Sequence, residues 1–266
     1  MLGGIHQTTP LDLNFRFLGF PVRVSPWFWL AALVLGYGPS GGNGVFLLLF
    51  IGAAFLSILI HELGHSIAFA NYGIGSSIML YHFGGLAIPD QFTAMGSRRT
   101  GKYGQMIISA AGPGIQLLLA LVILLLVRGF GYEVVPLSIG TIPILPEIVC
   151  LNADSIEAGT RLHAIPNIFL DGFVFFMLYI NIFWALLNLL PVYPLDGGQI
   201  VREFFVLIDY RDGLKNSLIL STAVAGGVAV WGFSGGSLFM GMLFGMMAFN
   251  SFQMFQNVTR GPGGRW

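Results

Sequence analysis

The chain has 266 residues, 55% of them hydrophobic and 9% charged, with twelve basic and twelve acidic side chains and a formal net charge of zero. Soluble domains carry about 25% charged residues, so this composition excludes an ordinary water-soluble globule. The zero balance argues against a nucleic-acid partner gathered by bulk charge, and the single cysteine, Cys150, excludes an intrachain disulfide and a cysteine zinc cluster.

The first 25 residues hold no continuous apolar run, so no cleavable signal peptide is expected and the first hydrophobic span serves as the membrane address. In residues 11–26, Phe15, Phe17, Val22 and Val24 alternate with Asn14, Arg16, Arg23 and Ser25 around Gly19 and Pro21. This strand, turn, strand pattern predicts a small amphipathic hairpin near the membrane surface. A bilayer core of about 30 Å needs roughly 20 apolar residues as helix. Six runs qualify as candidates: 26–37, which is short and leans on Trp27 and Trp29 as interface anchors, then 44–72, 105–127, 172–190, 217–233 and 238–255. The runs 44–72, 105–127 and 172–190 are the expected core, flanked by the other three.

Residues 73–104 contain SSIMLYHFGGLAIP, which alternates weakly and carries Gly84 and Gly85. Short strands that dip into the membrane beside protein are expected there, because non-helical backbone at that depth must be buried in protein or line a wet cavity. Residues 128–171 are expected as a long polar loop. With no internal repeat and no separate soluble segment, 1–266 reads as a single membrane-embedded domain. The expected class is an all-α polytopic membrane protein. It has about six transmembrane helices, a small N-terminal β-hairpin and a short re-entrant β-like segment.

Lys and Arg set the orientation. With the N-terminus in the cytoplasm, ten of the twelve basic residues face inward and only Arg128 and Arg161 face outward, a strong positive-inside bias. The second and fourth spans then end on the cytoplasmic side. The N-terminus, the C-terminus and that end of the core are expected to be cytoplasmic.

The second span contains His61-Glu62-Leu63-Gly64-His65. Positions i and i+4 share a helix face, so both imidazoles can reach one metal, and Glu62 is placed to take a proton from water, the HExxH logic of zinc hydrolases. An ionised carboxylate near the middle of a membrane helix costs at least about 2.5–3.5 kcal/mol. A polar cluster that merely tied helices together has no need of this spacing.

Catalytic zinc takes three protein ligands and keeps a fourth position open. The third ligand is to be sought among His82, His163, Asp171 and Asp196. The topology puts His163 and Asp171 on the outer side, away from His61 and His65. His82, in the re-entrant segment, stays possible but is expected as a hydrogen-bonded loop residue. Asp196 is the best candidate. It follows Pro191 and Pro194, which cannot continue an ordinary helix, and precedes Gly197 and Gly198, which allow unusual backbone angles and close approach. The chain can leave its helix there and aim one carboxylate back at the metal.

These motifs resemble those of the site-2 protease family of intramembrane zinc metalloproteases. HELGH at 61–65 is similar to the family's HExxH helix, and NLLPVYPLDGG at 188–198 to its second motif. PVRVSPWF, FGGLA at 83–87 and AAGPGI at 110–115 are also similar, so the resemblance covers about residues 12–200. It implies that His61, His65 and Asp196 bind one zinc ion, that Glu62 is the catalytic glutamate, and that Asn188 lies near the active site, helping to orient substrate or oxyanion. It also implies hydrolysis of peptide bonds in or near transmembrane helices of other membrane proteins. Such a helix must first unwind, and the strand region at Gly84 and Gly85 is suited to accept it by adding a strand to a sheet edge. Many members carry asparagine after the AGP element where this chain has Gln116. A zinc-binding membrane scaffold or metal carrier without hydrolysis is the alternative reading.

Overall fold

The structure, a computed structural model, describes residues 9–82, 84–90, 93, 101, 103–132, 135–139, 142–147, 165 and 167–260. Phe83, Arg98, Arg99, Lys102, Cys150 and His163 lie outside the described residues. The chain divides into two compact units, Met1–Gly96 with Gly114–Ala185, and Ser97–Pro113 with Leu186–Trp266.

The first unit begins with the expected hairpin, β1 (Leu13–Phe17) and β2 (Phe20–Val24), antiparallel with Phe17 opposite Phe20. Its two turn residues, Leu18 and Gly19, both have positive φ, 48° and 89°, the backbone that matches the twist of a two-residue hairpin. The re-entrant segment also forms strands, β3 (Ser76–Tyr81) and β4 (Gly84–Pro89), paired antiparallel. The two expected pieces are one sheet, ordered β1-β2-β3-β4, because β2 and β3 pair in parallel through Val22–Ile78 and Val24–Leu80. The reason is burial: Val22, Val24, Ile78 and Leu80 share one core with Phe28 and with Ile58, Leu59 and Leu63 of the second helix.

Helix α1 (Pro26–Tyr37) starts on a proline, which suits a first helical turn. Its 12 residues span about 18 Å, less than a bilayer core. Helix α2 (Gly44–Asn71) runs 28 residues. The Asn43 side chain caps it by accepting from the Val45 and Phe46 N–H groups at 2.9 and 3.3 Å. It stops where Gly73, at φ 73°, lets Ile74 N–H reach the Phe69 carbonyl and Gly73 N–H the Ala70 carbonyl, the glycine-terminated helix end.

Helix α3 (Gly104–Gly129) and helix α4 (Ile168–Asn188) flank α2. Phe50, Ala53 and Ala54 of α2 pack on Phe176, Met177 and Ile180 of α4, with Leu119 and Ile123 of α3 against them. Contacts of α4 climb in step with α2, from Phe46 beside Phe169 to Ser57 beside Asn181, so those two helices run parallel. Within the expected polar loop, β5 (Val135–Ile139) and β6 (Ile142–Glu147) form a separate antiparallel pair. Its sequence alternates Val135, Leu137 and Ile139 with Pro136 and Ser138, a period-two signal that the loop reading passed over.

The second unit holds α5 (Asp196–Ile208), α6 (Gly213–Ser234) and α7 (Leu238–Arg260). Its core is Val192, Ala225, Ala229 and Phe244. Helix α5 was not among the expected elements. Its Ile200, Val201, Phe204, Phe205 and Ile208 follow helical spacing, but 13 residues opened by Asp-Gly-Gly fall short of a span.

Five helices, α2, α3, α4, α6 and α7, are long and apolar enough to cross a membrane. Their outward side chains include Leu48, Leu125, Leu126, Val230 and Trp231, all more than half exposed. A soluble protein does not leave so many large apolar groups in water, whereas lipid accepts them.

Candidate metal centre

His61, Glu62 and His65 lie in the buried stretch of α2, with 3, 4 and 7% of their surfaces exposed. The helix repeat brings both imidazoles to one side, and His65 Nε2 stands 3.1 Å from His61 Nε2. Two nitrogens bound at about 2.0–2.1 Å to a tetrahedral zinc lie roughly 3.3–3.4 Å apart. The pair therefore fits a shared cation with only a slight adjustment, and the donor chemistry fits zinc. Glu62 Oε1 lies 4.0 Å from His61 Nε2, beside the position a cation would take.

The sheet closes over this carboxylate. A Cβ added at Gly85 would overlap Glu62 Cγ, Cδ and Oε1, so β4 approaches the glutamate only because residue 85 has no side chain. Its neighbour Gly84 has φ 119°, which favours glycine, and a Cβ there would come within 2.8 Å of Trp184 Cζ2. Among the described residues β4 ends the sheet, with β3 as its sole strand neighbour.

Behind His61, buried amides and hydroxyls join three helices. Gln116 Oε1 sits 2.8 Å from His61 Nδ1, and Gln116 Nε2 donates to the Ser57 carbonyl at 3.1 Å. Asn181 Nδ2 donates to Ser57 Oγ at 2.8 Å and to the Met177 carbonyl at 2.7 Å. The motif reading reached Gln116 without a role for it and did not reach Ser57 or Asn181. Polar side chains inside apolar spans were the available signal.

The remaining candidates separate. Asp171 is in the first turn of α4, beside Gly172, which faces Phe46. Phe46 precedes His61 by fifteen residues, about 22 Å of helix, so Asp171 is out of reach of the histidines. His82 follows β3, its ring edge-on to Tyr81 at 5.4 Å.

In the second unit, Asn188 is the last residue of α4 and Asp196 the first of α5, and both are buried. The segment between them folds tightly. Cβ atoms at Gly197 and Gly198 would overlap backbone of Leu189, Leu190, Val192 and Tyr193. Neither glycine has positive φ, so close approach, rather than an unusual backbone angle, is what requires them. Ser221 Oγ of α6 accepts the Tyr193 N–H at 2.8 Å and meets Ser251 Oγ of α7 at 2.9 Å. The helix pair thus anchors the turn that presents Asp196.

This fold and site define a multi-pass membrane protein built around a buried HExxH helix, the arrangement of a metal-dependent hydrolase. The chain belongs to peptidase family M50, whose sequence model matches residues 49–229. It is 26% identical to a zinc metalloprotease of Methanocaldococcus jannaschii over 238 residues, covering 89% of this chain and 54% of that one. It is 29% identical to a candidate zinc metalloprotease of Synechocystis sp. over 214 residues, covering 76% of this chain and 46% of that one. The chain thus spans about half the length of the curated relatives it matches. A solved site-2 protease from Methanocaldococcus jannaschii shares the fold, with TM-score 0.55 and 20% identity over 92% of this chain and 95% of that one. The resemblance drawn from the motifs and the helical membrane fold are borne out.

Proposed function

We propose that residues 1–266 act as a single membrane-embedded zinc metalloprotease domain, cutting peptide bonds in or near transmembrane segments of other membrane proteins, as in regulated intramembrane proteolysis. The observation that carries this reading is the 3.1 Å pair of imidazole nitrogens, with a glutamate beside it, buried in an apolar helix of 28 residues. A site there serves a substrate that lies in the lipid. Membership of a peptidase family and relatives named as zinc metalloproteases support the chemistry.

In this reading one zinc ion is held by His61, His65 and Asp196, the ligand set that the motif resemblance implies. Two imidazoles and one carboxylate leave a coordination position open. Zinc, when bound, supplies a Lewis acid that polarises the scissile carbonyl. Glu62 takes a proton from the attacking water and delivers it to the leaving amine. The Gly84–Gly85 end of β4 receives the unwound substrate as an added strand, and Asn188 helps to orient substrate or oxyanion. The charge bias supports a cytoplasmic N-terminus, C-terminus and active-site end.

The test is cleavage of a transmembrane reporter peptide by the purified full chain, with zinc content measured alongside. Wild type is expected to carry one zinc and to cut, and Asp196→Asn to lose both. Stoichiometric zinc without cleavage of an already unwound transmembrane peptide favours the silent scaffold instead.

A further inference from the structure

We propose that Gln116 is a positioning residue that fixes the tautomer and ring plane of His61, so that Nε2 presents its lone pair to the metal. This rests on the metalloprotease reading and adds a residue to it. Gln116 is wholly buried, with 0% of its surface exposed, and touches two groups of α2. The Ser57 carbonyl, 3.1 Å from Gln116 Nε2, can only accept. The amide therefore sits one way round, with its oxygen toward His61 Nδ1 at 2.8 Å. That oxygen also can only accept, so Nδ1 must carry the ring hydrogen. In a neutral imidazole the other nitrogen is then bare, and it is Nε2 that faces His65.

Metal-bound histidines commonly donate their second ring nitrogen to a carboxylate, carbonyl or water. Here a neutral side-chain amide takes that place, held by the carbonyl one turn before His61. Asn181 adds a further bond to Ser57 Oγ at 2.8 Å, so the relay from α4 through α2 and α3 to the imidazole involves no ionised group. This suits apolar surroundings, where an extra carboxylate is costly.

Two measurements test it on the full chain in detergent. The first is zinc affinity by chelator competition. Gln116→Met keeps volume but cannot accept, and is expected to weaken zinc binding about 10–100-fold. Gln116→Glu keeps an acceptor toward Nδ1 when its neutral carboxyl donates to the Ser57 carbonyl, and is expected to bind zinc more tightly than Gln116→Met. Met and wild type binding equally overturns the proposal. The second needs no variant that must fold: ¹⁵N-histidine labelling of wild type reads which nitrogen of His61 carries hydrogen. Hydrogen on Nδ1 in the zinc-free protein supports the assignment, and hydrogen on Nε2 overturns it. A wild type that binds no zinc ends the metalloprotease reading, while the labelled spectrum still decides the tautomer of His61.

Discussion

Residue 85 lies against Glu62 so closely that any side chain on it would occupy the space of the glutamate's Cγ and carboxyl. The strand is therefore not simply near α2. It is seated on the Glu62 carboxylate, and its first position, Gly84, which pairs with Tyr81, is a glycine of positive φ.

Gly85→Ala forces Glu62 or β4 to move. Overpacking of this kind costs about 1–3 kcal/mol. Cleavage is expected to fall by at least about tenfold, the equivalent of 1.4 kcal/mol on the barrier, with zinc content unchanged. Reporter cleavage and metal analysis of the purified variant check this, and wild-type turnover would count against the proximity of strand and glutamate.

Glu62→Gln preserves size and removes the proton acceptor. Cleavage is expected to drop by about 10²–10⁴-fold, the usual share of general acid–base catalysis, while His61 and His65 keep their metal. Single-turnover assays with zinc-loaded protein measure it.

In the second unit, Gly197→Ala places a methyl on the carbonyl of Leu189, which cannot swing aside as a side chain can. A fall in Tm is expected. Gly226→Ala and Gly227→Ala in α6 meet nothing within 4 Å, and alanine in place of glycine gains up to about 1 kcal/mol in a helix interior. Thermal unfolding in detergent should therefore move in opposite directions for the two sites.

Ser221→Ala leaves the Tyr193 N–H and the Ser251 hydroxyl without the oxygen they share. An orphaned buried donor costs about 1–3 kcal/mol, and the loss falls on the turn that carries Asp196. Tm is expected to drop and zinc affinity to weaken with it, both measurable on one preparation.

The hairpin carries a pH dependence of its own. The Thr9 hydroxyl first, then the Thr9 N–H and Arg23, whose Nε lies 2.6 Å from Asp12 Oδ2, hold the Asp12 carboxyl below its ordinary range against the effect of burial. A depressed carboxyl stabilises the fold above the unfolded value, near 3.9, and that contribution disappears as pH falls through the lower folded value. Protection of the β1 and β2 amides, taken relative to the intrinsic exchange rate at each pH, is expected to fall below about pH 4 in wild type. In Asp12→Asn the added acid sensitivity should be absent.

Much of this protein was legible before folding was considered. Low charge and long apolar runs are one-dimensional quantities, and they determined the membrane class and the helices α2, α3, α4, α6 and α7. The HExxH spacing is equally local, because the helix repeat alone brings His61 and His65 to one face. Proline and glycine between Asn188 and Gly198 announced a turn for the same reason.

Tertiary structure decided the rest. Hairpin and re-entrant strands became one sheet because β2 and β3 are parallel partners 56 residues apart (Val22 and Ile78), joined by a core that no sequence window contains. Gly85 and Gly197 are glycines because of what lies across from them, a glutamate on another element and a backbone folded back on itself. Gln116 faces His61 from a different helix, 55 residues away. Periodicity reports the face a residue occupies, and only packing reports its neighbour across the gap, where hydrogen bonds, close approaches and proton positions are settled.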